Sequence, residues 1–191
     1  MKKALLIASI LCVAVISTAC INNIAVQELN NKAAEYMQKG DYEAAMSRLQ
    51  ASLDLDSTMY QTYYNLGVAA INANKYDKAI EALENGTKIN PDYADFYYSL
   101  GVAQIGLADD IYEAAEIKET ASADTEKDEV EIKRDIIDVE KYNVVDLKKA
   151  AIANLTKYLE LEPNPKDKES IDEMIKQCEE FITDKEKKEA D

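Results

Sequence analysis

Apolar residues recur at intervals of three and four along most of the chain, the spacing that places side chains on one face of an α-helix. One such stripe contains Phe96, Leu100, Leu107 and Ile111. Alternation of apolar and polar residues, which would indicate strands, is hard to find, and only 5 glycines and 3 prolines interrupt the 191 residues. The pattern therefore predicts an all-α fold.

Two separate stretches of the sequence recur after 34 residues. Residues 63–69 read YYNLGVA and residues 97–103 read YYSLGVA, while DYEAA at 41–45 corresponds to KYDKA at 75–79. A fixed period of this length indicates a unit of two helices that buries its apolar face only by stacking against the next unit.

A two-helix unit of 34 residues resembles the tetratricopeptide repeat. By that resemblance, Gly67 and Gly101 let the first helix of a unit approach the second helix closely. Gly40 and Asn74 are expected in the turns between the two helices. The second helix presents a small residue and, four places later, a leucine on the same face; these pairs are Ala45 and Leu49, Ala79 and Leu83, and Ala151 and Leu155.

The resemblance implies a tetratricopeptide-type helical solenoid of about three repeats, the third extended by a long helical hairpin, with a capping helix at the C-terminal end. The first repeat is degenerate, because Lys32 and Ala33 stand where the family has Leu-Gly. Ile171, Cys178 and Ile182 share one face of the expected capping helix. The expected segments are a signal peptide at 1–19, an anchor linker at 20–23, repeats at 24–57, 58–91 and 92–165, and the cap at 166–187.

The third repeat is longer than one period. Ala79 and Ala151 are 72 residues apart, which leaves 38 residues beyond the 34 of a single repeat. We expect these residues to form a long antiparallel helical hairpin around 108–145, with an acidic tip at 119–129. Its return arm would carry the stripe Ile132, Ile136 and Val139.

A fourth, degenerate repeat is the alternative to the hairpin, because IYEAA at 111–115 imitates DYEAA at 41–45. In that arrangement Glu116 and Glu119 would fall on the packed face of a helix, where an unpaired charge is costly. The hairpin is the interpretation that the charges favour.

The first twenty residues have the organisation of an export signal. Lys2 and Lys3 precede an uncharged run that ends at Ala19, which is shorter than the ~20 residues of a membrane-spanning helix. The tetrad STAC at 17–20 resembles the lipobox of bacterial lipoproteins, which implies that Cys20 is lipidated. The chain would then be anchored in the cell envelope, at the outer membrane facing the periplasm in a two-membrane cell or otherwise at the outer face of the plasma membrane. The alternative is ordinary signal cleavage after Ala19 and secretion.

Charge and composition limit the chemistry. The net charge of −15 repels nucleic acid and anionic lipid head groups, so the expected membrane contact is the N-terminal lipid alone. The chain contains no histidine, no CxxC pair and no glycine-rich phosphate loop, and we expect no catalytic residue, metal or cofactor. Cys178 lies on an apolar helix face, which predicts burial rather than reactivity.

The tetratricopeptide resemblance implies that outward residues of the first helices line a concave groove that contacts a protein or peptide partner. The positions carried over are Asn30, Ala34 and Met37 in the first repeat, Tyr64, Val68 and Ile71 in the second, and Tyr98, Val102 and Ile105 in the third. The Lys and Asn clamp that some members use for C-terminal carboxylates is absent. Alternatively, these side chains pack against the cap or the hairpin.

The leading hypothesis is therefore a non-enzymatic, membrane-tethered scaffold that binds a protein or peptide of the cell envelope. One alternative is a carrier of an apolar small molecule enclosed by the repeats and the hairpin. Another is a structural envelope lipoprotein that self-associates through the hairpin. The sequence leaves the oligomeric state open.

The mature N-terminus distinguishes anchoring from secretion. Lipidation would leave a mature chain that begins at Cys20 with acyl chains attached, and it would place the protein in the membrane fraction. Cys20→Ala removes the acceptor sulfur, so we expect this variant to leave the membrane fraction. Mass spectrometry of the N-terminal peptide provides the measurement, and an unmodified Cys20 at the mature N-terminus would contradict the lipid anchor.

Overall fold

The computed structural model describes the backbone of residues 23–123 and 142–190, and their side chains except for 117–123 and 189–190. Within these ranges the chain forms helices and no strands, and each helix packs against the next. The all-α solenoid predicted from the sequence is confirmed. The helices are α1 (23–38), α2 (Tyr42–Leu55), α3 (Tyr60–Asn72), α4 (Tyr76–Ile89), α5 (Ala94–Ala123), α6 (Val144–Leu161) and α7 (Lys168–Ala190).

Equivalent glycines form equivalent helix crossings in two successive repeats. Gly67 of α3 lies against Leu83 of α4, so close that a Cβ on the glycine would stand 2.5 Å from the leucine side chain. Gly101 of α5 lies against Leu155 of α6 in the same way, with a corresponding distance of 2.6 Å. Both leucines are fully buried. The predicted role of these glycines in close helix approach is confirmed.

The first repeat uses Ala33 at the place that corresponds to Gly67, and this alanine is buried. Leu49, which corresponds to Leu83, is also fully buried, and both belong to the core shared by the first two repeats. A methyl group therefore fits at this position, so the departure from the Leu-Gly pattern does not prevent the first repeat from packing.

The turns between paired helices also recur with the 34-residue period. Gly40 and Asn74 both adopt the left-handed backbone conformation, with φ of 74° and 55°. The N–H of Asp41 then donates to the carbonyl of Tyr36, and the corresponding N–H of Lys75 donates to Ala70 at 2.8 Å. Bonds of this kind satisfy the last free carbonyls of a helix and end it.

The position that corresponds to these two turn residues in the third repeat is Ala108. An alanine disfavours the left-handed conformation, because its Cβ approaches the following carbonyl. Ala108 is instead helical and buried, and α5 continues through it for 30 residues, a length of about 45 Å. The missing turn residue explains why the third repeat does not close where the first two do.

This unbroken helix bears on the two interpretations of the third repeat. A fourth repeat needs a turn just before Ile111, and α5 has none there, so that alternative is wrong. The outgoing arm of the expected hairpin is helical as far as Ala123, which includes the first part of the expected acidic tip. The return arm with Ile132, Ile136 and Val139 lies outside the described residues, as do the signal peptide and Cys20.

The last helix packs along α6 and covers the end of the solenoid, as predicted. Its residues Ile171, Cys178 and Ile182 are buried. Burial raises the pKa of the Cys178 thiol, which suits a packing role. The ring of Phe181 meets Tyr112 of α5 edge-on, with 5.3 Å between ring centroids. The cap therefore also holds the part of α5 that continues beyond the repeat.

An ion pair between a buried lysine and an exposed aspartate joins the second helix of the third repeat to its first. Lys148 of α6 is 6% exposed, and its Nζ lies 2.5 Å from a carboxylate oxygen of Asp109 on α5.

In residues 23–123 and 142–190, no helix is long and apolar enough to cross a membrane.

Gly67→Val tests the close crossing. The added side chain would overlap Leu83 in a fully packed core, and overpacking of this kind costs about 1–3 kcal/mol. We expect the free energy of unfolding, measured by urea denaturation, to fall by that amount. Gly40→Asn is the control, because asparagine tolerates the left-handed backbone and a Cβ there meets no atom within 4 Å. Equal stability of the two variants would contradict the crossing.

Candidate functional site

The joint between the first and second repeats is polar. The amide of Asn30 donates to the hydroxyl of Ser52 at 2.9 Å and to the carbonyl of Val26, and its oxygen accepts from the hydroxyl of Thr62 at 3.3 Å. Ser52 and Thr62 are buried. The side chain of Asn30, predicted for the groove, is therefore engaged within the fold, where it joins α1, α2 and α3.

At the joint between the second and third repeats, the equivalent positions hold aromatic and small residues instead of polar ones. The residues 34 places after Asn30, Ser52 and Thr62 are Tyr64, Gly86 and Phe96. The ring of Phe96 occupies the space that a Cβ on Gly86 would need, and Tyr64 meets the same ring edge-on at 5.9 Å. A hydrogen-bonded joint is thus replaced by an aromatic one.

Four rings form this second joint, and we call them the aromatic cluster. Phe96 is fully buried at its centre, and the three tyrosines around it are half-buried. Tyr93 lies 5.3 Å from Tyr64, Tyr60 and Phe96, measured between ring centroids. Edge-to-face contacts at such distances stabilise a joint beyond the area that they bury. The members are Tyr60, Tyr64, Tyr93 and Phe96.

We call the predicted groove residues of the second and third repeats the concave stripe, after the groove that the tetratricopeptide resemblance predicts. Its members are all half-buried: Tyr64, Val68 and Ile71 on α3, and Tyr98, Val102 and Ile105 on α5. Tyr98 packs on Tyr158 of α6, with 5.4 Å between ring centroids. In the first repeat, Ala34 is exposed and Met37 packs partly against the core. Each of α3 and α5 therefore contributes three half-buried residues to the predicted groove.

Carboxylates surround the tyrosines at one end of the stripe. Burial raises the pKa of Tyr64 and Tyr98, and the nearby charges of Asp95 and Asp167, respectively, raise it further. Burial and a hydrogen bond with Asp95 likewise raise the pKa of Tyr93. These hydroxyls remain protonated at neutral pH and face negative charge.

The repeated helix pairs match a known protein family. Residues 36–105 match the tetratricopeptide repeat family. This tetratricopeptide segment runs from the end of α1 to the middle of α5 and contains the aromatic cluster and the concave stripe. Comparison with curated protein sequences gave no match.

Solved tetratricopeptide domains have the same fold. The second such domain of human RPAP3, solved with an HSP70 peptide, is 12% identical with a TM-score of 0.57, over 83% of this chain and 98% of that one. The Yersinia enterocolitica type III secretion chaperone SycD, solved with a peptide of the translocator YopD, is 19% identical with a TM-score of 0.54, over 81% and 92%. The Arabidopsis OM64 domain is 15% identical with a TM-score of 0.57, over 84% and 99%.

Several residues around the stripe were missed by sequence reasoning. Tyr60 could have been found, because it lies one helical turn before Tyr64 in the tetratricopeptide segment. Tyr158 and Asp167 lie after the inserted residues, where the 34-residue period no longer assigns positions. Their approach to Tyr98 depends on how α6 and α7 pack, which no local pattern reveals.

A concavity lies between the second helices α2 and α4, and none of the stripe residues lines it. It has a volume of about 670 Å³, with Leu66 of α3 among its lining residues. Charged side chains at its edges include Glu43, Asp54, Lys78 and Glu81. Among the described residues, no group of three or more acidic residues and cysteines is placed to hold a metal ion.

Alkaline pH should lower the free energy of unfolding of the tetratricopeptide segment, because its tyrosines then lose their protons. The pKa of Tyr98 is higher in the folded chain than the ordinary value of 10.0. The protonated hydroxyl therefore stabilises the folded state fully below pH 10, and this stabilisation is lost as pH rises through the folded-state pKa. Tyr98→Phe keeps the ring on Tyr158 and removes the ionisable group. We expect its unfolding free energy to fall less above pH 10 than that of the wild type.

Urea denaturation across the alkaline range measures this difference, and Tyr42→Phe at the start of α2 is the control. The same alkaline decline in Tyr98→Phe and in the wild type would contradict the assigned cause.

Proposed function

We propose that this chain is a non-enzymatic scaffold that binds a segment of a partner protein along the concave stripe. The observation that carries the proposal is the pairing of half-buried apolar residues at equivalent places on α3 and α5, such as Val68 with Val102. Side chains of this kind gain from a further apolar contact, and the flanking tyrosines combine an apolar ring with a polar hydroxyl.

The similar structures support this choice of partner class. RPAP3 was solved with an HSP70 peptide and SycD with a peptide of YopD, so domains of this fold accept peptide segments of other proteins. A helix-lined surface with repeated apolar positions binds such segments through side chains at regular intervals.

We further propose that the scaffold is tethered to the cell envelope by a lipid on Cys20. The helices begin shortly after this residue, since α1 is already formed at residue 23. A tether this short would keep the repeats close to the membrane surface, and the partner would be a protein of the same compartment.

A carrier of apolar small molecules has less support. The concavity between α2 and α4 is edged by Glu43, Asp54 and Glu81, whereas pockets for apolar ligands are lined mainly by hydrophobic and aromatic side chains. The concave stripe is a surface along two helices, which suits a chain segment better than a small molecule.

Val68→Ser combined with Val102→Ser tests the stripe. Losing two apolar contacts of about 1 kcal/mol each should weaken partner capture by roughly tenfold or more. Capture is measured by pull-down of envelope proteins with the purified chain and quantified by mass spectrometry. Tyr64 and Tyr98 are unsuitable for this test, because both pack against other rings in the fold.

Leu55→Ser combined with Ile89→Ser is the matched control. These residues end α2 and α4, are separated by the same 34 places, and are 43% and 42% exposed. The control pair should capture partners as the wild type does. Unchanged capture by the valine variants, with unchanged melting temperature in both pairs, would refute binding at the stripe.

A further inference from the structure

The tyrosine end of the concave stripe combines aromatic rings with negative charge. Tyr64 and Tyr93 belong to the aromatic cluster, and Tyr98 and Tyr158 form a second ring pair beside it. All four rings are half-buried, so each keeps part of its surface open to solvent. This end of the stripe therefore offers several ring surfaces within a small area.

Three carboxylates lie around these rings. Asp95 shares a hydrogen bond with the hydroxyl of Tyr93, and Asp95, Asp167 and Glu162 all contribute negative charge at the hydroxyl of Tyr158. Asp95 is half-buried at the start of α5, while Asp167 and Glu162 are exposed in the connection between α6 and α7. Residues from separate parts of the chain thus converge on one end of the stripe.

These carboxylates have no ion-pair partner among the described residues. In the part of the chain that the structure describes, no lysine or arginine forms an ion pair with Asp95, Asp167 or Glu162. The nearby Lys157 is paired with Glu160 at 3.0 Å. Lys166 and Lys168 flank Asp167 in the sequence, and the charges that raise the pKa of Tyr158 after burial include those of Asp167, Asp95 and Glu162.

Aromatic faces beside unpaired carboxylates are complementary to a cation. A lysine or arginine side chain gains from the face of a tyrosine and from a charge-assisted bond to a carboxylate. The chain already uses such a pairing at its cap, where Nζ of Lys185 lies 4.5 Å from the centre of the Tyr112 ring. The net charge of −15 adds a long-range attraction for a basic partner.

We propose that the segment bound along the concave stripe is a basic peptide of a partner protein. Its lysine or arginine side chains lie over the tyrosines next to Asp95 and Asp167, and its apolar side chains contact Val68 and Val102. This proposal rests on the proposed function and names the chemical class of its partner. An acidic segment would meet repulsion at the same end of the stripe.

Peptide pools of equal length test the charge preference. Each pool has apolar residues at fixed places, with lysine and arginine, serine and glutamine, or aspartate and glutamate between them. The full-length chain is purified in detergent and titrated with each fluorescent pool by anisotropy. We expect the basic pool to bind at least about tenfold more tightly than the acidic pool, with a preference that shrinks at high salt.

Asp95→Asn combined with Asp167→Asn removes two charges at the site. We expect this variant to bind the basic pool about tenfold more weakly, because each exposed charge pair contributes a few-fold in affinity. Asp172→Asn combined with Asp184→Asn on α7 makes the same change in net charge away from the stripe, and it should bind as the wild type does.

The outcomes separate the two proposals. Equal or tighter binding of the acidic or neutral pool, lost in the Val68→Ser and Val102→Ser variant, would overturn the basic partner and leave the stripe in place. An equal effect of both aspartate pairs would also overturn it, because the preference would then reflect net charge alone. Failure of every pool to bind would overturn the peptide-binding stripe itself.

Discussion

The structure depends on one contact that recurs with the period of the sequence: a glycine of the first helix seated against a leucine of the second. Gly67 against Leu83 and Gly101 against Leu155 bring paired helices closer than larger residues would allow. Because the contact is repeated in register, successive helix pairs stack in the same orientation, and equivalent residues of successive first helices align. The residues of the proposed concave stripe share one face because of that alignment.

A constant framework leaves other positions free to differ. At the joint between the first and second repeats, three equivalent positions form a hydrogen-bonded group around Asn30. At the joint between the second and third repeats, the equivalent positions bring together the rings of Tyr64 and Phe96. The first arrangement occupies the polar side chain within the fold. The second leaves tyrosine surface at the edge of the joint, and this difference places the candidate binding site toward the second and third repeats.

Much of this fold could be predicted because it is local and periodic. The match between Gly67 and Gly101 predicts the crossing, and the left-handed turns at Gly40 and Asn74 follow from residue types that tolerate that backbone. The same reasoning applied to Ala108 explains why the third helix pair does not close there. The groove positions assigned from the repeat remain a prediction, and the internal role of Asn30 was not foreseen.

The parts that could not be predicted depend on contacts between distant segments. Tyr158 and Asp167 approach Tyr98 only through the packing of α6 and α7, after an insertion that interrupts the period. The pair of Lys148 and Asp109 likewise joins α5 to α6 at positions that the 34-residue period does not assign. The charge around the stripe, and with it the proposed class of partner, therefore could not be inferred from the sequence alone.

The central claim is that interlocked helices hold one face of α3 and α5 available for a partner protein. Photo-crosslinking in intact cells tests it most directly. A photoreactive amino acid is placed either at Val102 on the stripe or at Ile89 at the end of α4. Discrete protein adducts from position 102, and none from position 89, are the predicted result. Adducts of equal yield from both positions, or adducts from position 89 alone, would contradict it.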